Sequence, residues 1–212
     1  MESSWDYFHF DQWLTPAEQE IRKNIRAKLK PFVEKKMPDF LENTEFPHMA
    51  KDLISKLNLS GLYMKGYGCP GLSITMSATV IFEFFRADPS LGTYFLVQSG
   101  LGMSSIYQLG SEEQKQEFLP DLAALKKDVC WALTEPGFGS DASGLQSTAE
   151  PVEGGFKLNG TKRWIGNATH SGVLIVFARN TQTRKVQGFI LTSGMKGLRT
   201  KKIQGKWALR ST

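Results

Sequence analysis

The hydrophobic period of the sequence changes near residue 129, and this change restricts the possible folds more than any other feature. Before it, apolar residues recur every three or four positions, as on one face of an α-helix. The first such stripe consists of Ile21, Ile25, Leu29 and Phe32. After it, short runs rich in β-branched residues are separated by turn residues. Two periods in a chain of 212 residues predict two structural units, one helical and one of β-strands.

The helical half contains clear helix starts and one break. Two starts carry the capping-box pattern, in which a Ser or Thr is followed three residues later by an acid or amide. They are Thr15 with Glu18, and Ser111 with Gln114. Segments 73–86 and 89–109 are apolar nearly all round, which is typical of helices at the centre of a bundle. The glycine-rich segment 65–71 is expected to be a loop.

The second half carries the signals of strands joined by tight turns. These signals lie at 152–156, 158–161, 173–178 and 186–191. We therefore predict an α+β fold class, with an N-terminal α-helical bundle over 1–128 followed by an antiparallel β domain over 129–212. No strand signal follows 203–209, so the sheet is expected to be incomplete.

Composition and charge argue against several classes of protein. The net charge is +5, but the basic residues fall into two stretches, 22–36 and 184–210, and no nucleic-acid-binding module accompanies them. The first stretch is expected to be the solvated face of a helix. No apolar run approaches the roughly 20 residues that span a bilayer. We therefore expect neither nucleic-acid binding nor a membrane span, and the charge serves to attract anions such as a polyphosphate.

The cysteines and histidines are too sparse to predict a disulfide framework or a metal site. Cys69 and Cys130 are far apart in sequence, which favours a reducing, intracellular compartment. His9, His48 and His170 show no metal-ligand spacing, so structural or surface roles are expected for them. No metal is predicted.

The most informative segment is 131–141, Trp-Ala-Leu-Thr-Glu-Pro-Gly-Phe-Gly-Ser-Asp. It has the pattern of an extended approach followed by a glycine-rich loop that offers hydroxyl and backbone N–H groups. Such loops bind phosphates or the edge of a heterocycle, because glycine allows close approach of the backbone. Taken alone, a polar turn between the two units is the simpler explanation. The spacing matches neither a P-loop nor a dinucleotide-binding motif.

A second segment, 159–167, has the sequence Asn-Gly-Thr-Lys-Arg-Trp-Ile-Gly-Asn. It places Trp164 on a predicted short strand after a turn, where core packing would be the simplest role. Together the two segments resemble the signatures of the acyl-CoA dehydrogenase superfamily. Segments 65–71, 110–115 and 119–120 resemble its glutaryl-CoA dehydrogenase branch and the plant short-chain acyl-CoA oxidases. The resemblance covers nearly the whole chain and implies the family's N-terminal domain with part of its middle domain, without the C-terminal four-helix domain.

The resemblance implies that FAD is the cofactor. It implies four pairs of contacts: Leu133 and Thr134 with the pyrimidine side of the flavin, Gly139 and Ser140 with the pyrophosphate, Trp131 and Trp164 beside the isoalloxazine, and Ile165 and Gly166 beside the nitrogen that accepts hydride. In this family a hydride passes from the β-carbon of an acyl-CoA to FAD while a carboxylate removes the α-proton, which gives a trans-2-enoyl-CoA. The expected role is therefore in fatty-acid β-oxidation.

The resemblance also implies contacts with the acyl-CoA substrate. The residues concerned are Gly92, Tyr94, Phe95 and Ser140. Gly92 stands where glutaryl-specific members carry an arginine for the distal carboxylate, so a plain acyl chain is expected. Phe84 and Phe85 would narrow the pocket towards short chains, although core packing explains them equally well.

No catalytic residue is predicted in this chain. The catalytic base of the family is a glutamate in the C-terminal helical domain, which would lie beyond residue 212. Without a general base, a rate contribution of about 100- to 10,000-fold is lost. The chain alone is therefore expected to bind flavin weakly at best and to turn over no substrate.

Gly166 bears on the electron acceptor. Dehydrogenases of the family carry a threonine there, whereas plant-type oxidases resemble this chain in carrying glycine, which would leave room for dioxygen. The prediction is a short-chain acyl-CoA oxidase of peroxisomes, homo-oligomeric as a full-length protein. One alternative is a mitochondrial dehydrogenase that passes electrons to an electron-transfer flavoprotein. The other is a catalytically dead, truncated paralogue that acts as a binding or assembly subunit, against which the retained Thr134, Ser140 and Trp164 argue.

Overall fold

The computed structural model describes residues 9–212, so the first eight residues of the predicted helical unit lie outside the described part. The helices are α1 (Pro16–Asn43), α2 (Met49–Ser55), α3 (Ile74–Ala87), α4 (Pro89–Phe95), α5 (Ser104–Leu109) and α6 (Glu112–Ala123). A π-helix at Leu96–Met103 joins α4 to α5. Short 3₁₀ turns lie at Phe10–Trp13 and Ala142–Gly144. Within residues 9–212, no helix is long and apolar enough to cross a membrane.

Local capping explains where the helices begin. Both predicted capping boxes are confirmed. At α1, Thr15 Oγ1 accepts from the N–H of Glu18 at 3.3 Å, and the Glu18 carboxylate accepts from the N–H of Thr15 at 2.9 Å. Ser111 and Gln114 make the same exchange at α6, at 3.3 and 3.0 Å. Asp88 accepts two backbone N–H groups at the start of α4, at 2.8 and 3.0 Å, so the chain turns sharply there and α4 folds against α3.

Buried side chains of α1, α2, α3 and α4 form the core of the helical unit. Phe84 and Phe95 stack with ring centroids 4.2 Å apart and planes 8° apart, and both side chains are fully buried. A Cβ atom at Gly92 would lie 2.5 Å from the ring of Phe85 and 2.8 Å from its Cα. This approach of the two helices therefore requires glycine at position 92.

The prediction that the first basic stretch is a solvated face is wrong for Arg22. Its side chain is buried, and its Nε lies 2.8 Å from the carboxylate of Glu83 on α3, which also binds Arg26 and Arg86 at 2.8 Å. Burial by itself would raise the pKa of Glu83, but the three guanidinium groups outweigh it and hold that pKa below its usual value. Helix α1 is thus tied to α3 by buried charges, which removal of one partner would leave uncompensated.

Segment 65–71 is a small hairpin, in agreement with the predicted loop. Its two-residue strands are β1 (Lys65–Gly66) and β2 (Cys69–Pro70). Tyr67 and Gly68 at the turn have positive φ angles of 55° and 79°. Two positive φ angles match the right-handed twist of a tight hairpin.

The sheet of the second unit is mixed, which corrects the prediction of an antiparallel domain. Its strands are β3 (Val129–Ala132), β4 (Thr148–Val152), β5 (Gly155–Asn159), β6 (Val173–Asn180) and β7 (Val186–Thr192). Strand β7 pairs antiparallel with one edge of β6, whereas β3 and the start of β4 pair parallel with the other edge. The parallel pairs arise because the chain crosses over between β3 and β6, with β4 and β5 as an antiparallel hairpin inside the crossover. The strands predicted at 173–178 and 186–191 are confirmed.

The two faces of β6 meet different surroundings. Val173, Ile175 and Phe177 belong to one apolar cluster with side chains of α5 and α6. Leu174 and Val176 point the other way, into a cleft bordered by the segment 195–209. Helices therefore cover one face of the sheet only. The stretch 203–209, predicted to lack a partner strand, forms no strand itself.

Candidate functional site

The two motif segments, 131–141 and 159–167, lie side by side at the carboxyl end of β3. The N–H of Arg163 donates to the carbonyl oxygen of Thr134 at 2.9 Å. Lys162 Nζ donates to the carbonyl oxygen of Leu133 at 3.0 Å. Strand β3 supplies the first segment and the crossover after β5 supplies the second, so predicted cofactor residues from both motifs meet in one place.

Behind these segments lies a buried carboxylate that the sequence analysis did not single out. Glu135 is 6% exposed and accepts from the N–H of Gln146 at 2.7 Å, the N–H of Ser147 at 2.9 Å and Lys162 Nζ at 2.7 Å. Burial alone would raise the pKa of Glu135, but Lys162 and the two backbone N–H groups stabilise the carboxylate and lower its pKa to about 2. The available signal was one acid before the glycines of the first segment and a lysine in the second segment.

The loop after β3 presents polar groups that the chain itself does not use. Within the described residues, the N–H groups of Thr134, Gly139 and Ser140 donate to no other group of the protein. The hydroxyls of Thr134 and Ser140 likewise make no hydrogen bond within the described range. A Cβ atom at Gly137 or Gly139 would meet nothing within 4 Å. An open row of donors without side chains in front of it suits a ligand rich in acceptors, such as a phosphate or a heterocycle edge.

Trp131 is fixed between the sheet and the helical unit. Its indole Nε1–H donates to Ser105 Oγ of α5 at 3.0 Å. Its ring meets Phe177 of β6 edge-on, with centroids 4.9 Å apart. A half-buried tryptophan with its only donor satisfied is a rigid aromatic surface at the start of the loop.

Trp164 lies on a loop, so the prediction that a short strand carries it is wrong. Its backbone is left-handed, with a φ of 62°, and its side chain is 58% exposed. The guanidinium carbon of Arg163 lies 4.7 Å from the centroid of the indole ring. A bulky residue held at positive φ carries strain of about 1–3 kcal/mol, and such residues cluster at binding sites.

Gly166 and Ile165 follow Trp164 and approach the π-helix. A Cβ atom at Gly166 would lie 3.5 Å from Val97 Cγ2, which is ordinary van der Waals contact. Small side chains at position 166 are therefore compatible with the fold. Ile165 is half-buried beside it.

The residues predicted to contact the acyl chain lie in the core of the helical unit. Tyr94 and Phe95 are 0% exposed, and Gly92 is buried against Phe85. Packing explains all three in this structure, and their contact with a substrate stays a prediction. Ser140, the fourth predicted substrate residue, is exposed on the loop after β3.

A second buried carboxylate, Asp128, precedes β3. It accepts from the Tyr94 hydroxyl at 2.8 Å and from Lys51 Nζ at 2.8 Å, and His170 Nδ1 lies 3.1 Å away. Burial would raise the pKa of Asp128, but His170, Lys51 and Tyr94 hold it below its usual value. These partners come from α2, α4 and the approach to β6, so Asp128 joins the two structural units.

Two of the three histidines, which the sequence analysis treated as unrelated, are neighbours in space. The rings of His48 and His170 lie 5.7 Å apart, and Phe46 stacks on His170 at 4.1 Å. Burial and the nearby His170 lower the pKa of His48. Among residues 9–212 no group of three or more His, Cys, Asp or Glu side chains is placed to hold a metal ion.

The cleft beside Trp164 has a volume of about 1850 Å³, and all the charged side chains of the described range that line it are basic. Its basic lining residues are Lys157, Lys162, Arg163, Lys196, Arg199, Lys201, Lys202 and Lys206. No Asp or Glu of the described range lines it, and its floor is apolar, with Leu174, Val176 and Leu191. Apolar walls concentrate the field of such charges, so the cleft favours anionic ligands.

Both units match one protein family. Residues 15–126 match the profile described as acyl-CoA dehydrogenase, N-terminal domain, and residues 130–212 match acyl-CoA dehydrogenase, middle domain. The chain belongs to the acyl-CoA dehydrogenase family. The predicted resemblance to acyl-CoA dehydrogenases and the predicted order of a helical unit and a β unit are confirmed.

Relatives in the acyl-CoA dehydrogenase family are longer than this chain. A probable acyl-CoA dehydrogenase of Bacillus subtilis (strain 168) is 33% identical over 213 residues, which cover 96% of this chain and 35% of the relative. The mitochondrial isovaleryl-CoA dehydrogenase of Solanum tuberosum is 32% identical, over 96% of this chain and 50% of its own length. The crystal structure of a glutaryl-CoA dehydrogenase from Mycobacterium smegmatis in complex with FADH2 is 31% identical with a TM-score of 0.88, over 97% of this chain and 53% of that one. The chain thus spans between 35% and 53% of the length of these relatives. All three are named as dehydrogenases, and the closeness to acyl-CoA oxidases stays a prediction.

Proposed function

We propose that this chain supplies one wall of the FAD site of an acyl-CoA oxidoreductase. The observation that carries the proposal is the set of unused N–H groups of Thr134, Gly139 and Ser140, on a loop bonded to the segment that carries the exposed Trp164. A flavin nucleotide offers what these groups need, namely carbonyl and phosphate oxygens as acceptors and an aromatic plane for the tryptophan. The FADH2 complex of the related glutaryl-CoA dehydrogenase supports the same cofactor here.

When bound, FAD would supply the hydride acceptor for the conversion of an acyl-CoA into a trans-2-enoyl-CoA. The chain's own residues would bind the cofactor and orient it. Thr134 would donate its N–H and hydroxyl to the pyrimidine side, and Gly139 and Ser140 would donate to the pyrophosphate. Trp164 would cover one face of the ring. Gly139 leaves the phosphate side of the loop open, because no side chain stands between its backbone and a ligand.

Neither buried carboxylate beside β3 is assigned the removal of the substrate's α-proton. A general base works best with a pKa near the working pH. The pKa of Glu135 is lowered to about 2 by Lys162 and two backbone N–H groups, and its oxygens already accept three hydrogen bonds. Asp128 is 3% exposed and fully engaged with three side chains. Both carboxylates therefore have structural rather than proton-transferring partners.

The first test is a titration of the purified chain with FAD, followed by addition of butyryl-CoA. The quenching of flavin fluorescence measures binding, and bleaching of the visible flavin band measures turnover. We expect weak binding without bleaching. Trp164→Phe should weaken binding by up to about 10-fold, because the smaller phenyl ring keeps only part of an aromatic contact worth about 0.5–1.5 kcal/mol.

Trp207→Phe is the matched control, since Trp207 is 99% exposed and lies across the same cleft. It should leave the affinity for FAD unchanged. Absence of any flavin binding by the unaltered chain would contradict the proposal. Equal losses of affinity in the two tryptophan variants would show that Trp164 has no specific contact with the flavin.

Gly166 supports dioxygen as the electron acceptor. Space for a side chain exists beside Val97, yet the position carries none, which leaves an opening next to the proposed flavin position. The dehydrogenase names of the relatives favour the alternative, electron transfer to an electron-transfer flavoprotein. The proposed compartment depends on the electron acceptor. An oxidase would belong to peroxisomes, and a dehydrogenase would belong to mitochondria, as does the isovaleryl-CoA dehydrogenase of Solanum tuberosum.

The test of the acceptor is Gly166→Thr in a protein that also carries the family's catalytic glutamate. We expect less hydrogen peroxide relative to dye reduction, because the new side chain would fill the opening. The matched control is Gly188→Thr on β7, where a Cβ atom would also lie 3.5 Å from its nearest neighbour, Phe177. An unchanged ratio in Gly166→Thr would overturn the role of Gly166 in the reaction with dioxygen.

Gly92 supports a substrate without a distal carboxylate. An arginine at position 92 would have to place its Cβ 2.8 Å from the Cα of Phe85, which α3 and α4 cannot accommodate without separating. A carboxylate in an apolar pocket needs such a cationic partner. Comparison of butyryl-CoA with glutaryl-CoA as substrates measures the preference, and we expect the complete enzyme to favour butyryl-CoA.

A further inference from the structure

A buried ion pair behind the flavin loop has no part in the contacts assigned so far. The Lys162 side chain is 11% exposed and that of Glu135 is 5% exposed, with Nζ and Oε1 2.7 Å apart. The same ammonium group donates to the carbonyl oxygen of Leu133 at 3.0 Å. A single lysine thus bridges a buried carboxylate and the main chain of the loop, and each contact is a charge-assisted hydrogen bond.

Because of this contact, the geometry of the peptide unit fixes the direction in which the N–H of Thr134 points. The unit between Leu133 and Thr134 is trans, so its C=O and N–H point in opposite directions. Lys162 holds the C=O, and the N–H of Thr134 therefore points away from Lys162 towards the open side of the loop. No group of the described chain accepts from that N–H.

The next peptide unit is fixed in the same manner. The carbonyl oxygen of Thr134 accepts from the N–H of Arg163 at 2.9 Å, and the N–H of Glu135 donates to the carbonyl oxygen of Phe138 at 3.1 Å. Both peptide planes beside Thr134 are thus set by residues 162 and 163. Glu135 in turn fixes Lys162, because its carboxylate is anchored by the N–H groups of Gln146 and Ser147.

We propose that Lys162 and Glu135 are positioning residues that aim the N–H of Thr134 at the flavin. The inference rests on the proposed function, since it names what holds a cofactor-binding group in place. Lys162 acts on the cofactor through the peptide unit and Glu135 acts through Lys162. Neither residue touches the flavin.

The central test compares Lys162→Met with Lys157→Met in the whole chain. Methionine keeps the length and apolar stem of lysine but donates no hydrogen bond. Lys157 is an exposed lysine of β5 that lines the same cleft. Its ammonium group makes no hydrogen bond within the described residues, so it controls for the loss of one positive charge. Three quantities are measured: the affinity for FAD, the position of the visible flavin band, and hydrogen exchange of individual amides.

For Lys162→Met we expect the dissociation constant for FAD to rise about 10-fold, the scale of losing one neutral hydrogen bond from the N–H of Thr134 to the flavin. The visible band of the remaining bound flavin should move towards its position in free FAD, because the hydrogen bond at the pyrimidine side is lost. The amides of Glu135 and Phe138 should exchange about 10-fold faster, since they close the turn that Lys162 supports. Lys157→Met, which removes one charge from the cleft, should lower the affinity for FAD less than Lys162→Met and should leave the band position and the exchange rates unchanged.

Each way in which the inference can fail has its own signature. If Lys162→Met binds FAD with unchanged affinity and spectrum, the positioning role is wrong while the proposed function stands. If exchange accelerates equally in the amides of β6, the pair has only a general structural role. If the unaltered chain binds no FAD, the proposed function and the aim of Thr134 are overturned together.

Glu135→Gln separates the two members of the pair. Glutamine keeps one acceptor oxygen but replaces the other with an amide that cannot accept from the backbone. We expect faster exchange at Gln146 and Ser147 and a weaker affinity for FAD, in the same direction as Lys162→Met. The combined variant should be less impaired than the sum of the two single variants, because both remove one interaction. Strict additivity would show that Glu135 does not act through Lys162.

Discussion

Each end of β3 adjoins a buried carboxylate, and the two carboxylates are held in different ways. The partners of Asp128 are Lys51, Tyr94 and His170, which lie 34 to 77 residues away in sequence. The partners of Glu135 are Lys162 and the N–H groups of Gln146 and Ser147, only 11 to 27 residues away. Asp128 therefore connects the helical unit to the sheet, whereas Glu135 shapes a loop inside the β unit.

The contacts of Asp128 should stabilise the fold of the whole chain, whereas those of Glu135 should also fix the loop that is proposed to bind the cofactor. Long-range contacts break only when the whole structure opens, whereas short-range contacts can break in a local opening. Disruption of Asp128 should therefore be visible in global unfolding. Disruption of Glu135 should also lower the free energy of unfolding, and in addition it should loosen the loop that carries Thr134.

The largest effect is expected from Asp128→Asn. The variant keeps the shape of the side chain but leaves Lys51 without its counter-charge, which costs about 3–5 kcal/mol of unfolding free energy for a buried pair. Urea denaturation followed by circular dichroism measures it. Asp52→Asn on α2 is the control, because Asp52 is exposed and its loss should cost less than about 0.5 kcal/mol. Equal losses of unfolding free energy in the two variants would show that Asp128 does not connect the two units.

A pH titration addresses the other end of β3. The folded-state pKa of Glu135, about 2, lies below its ordinary value of 4.5, so its contribution to stability is present above about pH 4.5 and is lost as the pH falls towards 2. That contribution amounts to roughly 3 kcal/mol at about 1.4 kcal/mol per pKa unit. The difference in unfolding free energy between the unaltered chain and Glu135→Gln should therefore shrink over this range. A difference independent of pH would mean that the carboxylate is not ionised in the fold.

Gly92→Ala tests the support of Asp128 from the helical side. The added methyl group would lie 2.5 Å from the ring of Phe85, and overpacking of this kind costs about 1–3 kcal/mol. Because Gly92 and Tyr94 share α4, a displaced helix would also move the Tyr94 hydroxyl from Asp128. Thermal unfolding measures the loss. Gly188→Ala, with ordinary contacts to Phe177, should lower the melting temperature less than Gly92→Ala.

The smallest effect is expected in the middle of β3, from Ser105→Ala. This change removes the acceptor of the Trp131 indole N–H, at 3.0 Å, and costs about 0.5–1.5 kcal/mol. Tryptophan fluorescence should shift as the indole loses its partner. A loss as large as that of Asp128→Asn would show that the middle of β3, and not its ends, controls the stability of the strand.

The sequence predicted most elements because their signals are local. The capping residue Thr15, the glycines of 65–71 and the β-branched run 173–178 each describe their own neighbourhood. The strand predicted for Trp164 failed because the backbone of Trp164 is left-handed, with a φ of 62°, which interrupts an extended run. The N–H of Arg163 donates to the carbonyl oxygen of Thr134, 29 residues away, so a contact distant in sequence shapes this segment.

The candidate site was predicted in part for the same reason. The motif around Thr134 and Ser140 is continuous in sequence, and the structure places it in an open loop as expected. The cluster at Asp128 joins residues from four separate segments, so no spacing in the sequence could reveal it. The parallel pairing of β3 with β6 depends on the path of the crossover, which strand propensity does not encode.

The two anchored ends of β3 also limit how the chain can change its length. Only six residues, 129–134, separate Asp128 from Glu135, and four of them are paired with β6 in a fixed register. Insertion of one residue there reverses the alternation of side chains and draws one carboxylate away from its partners. The exposed turn 181–185 between β6 and β7 touches neither carboxylate and can lengthen freely. Insertions and deletions should therefore be tolerated at that turn and excluded between residues 128 and 135.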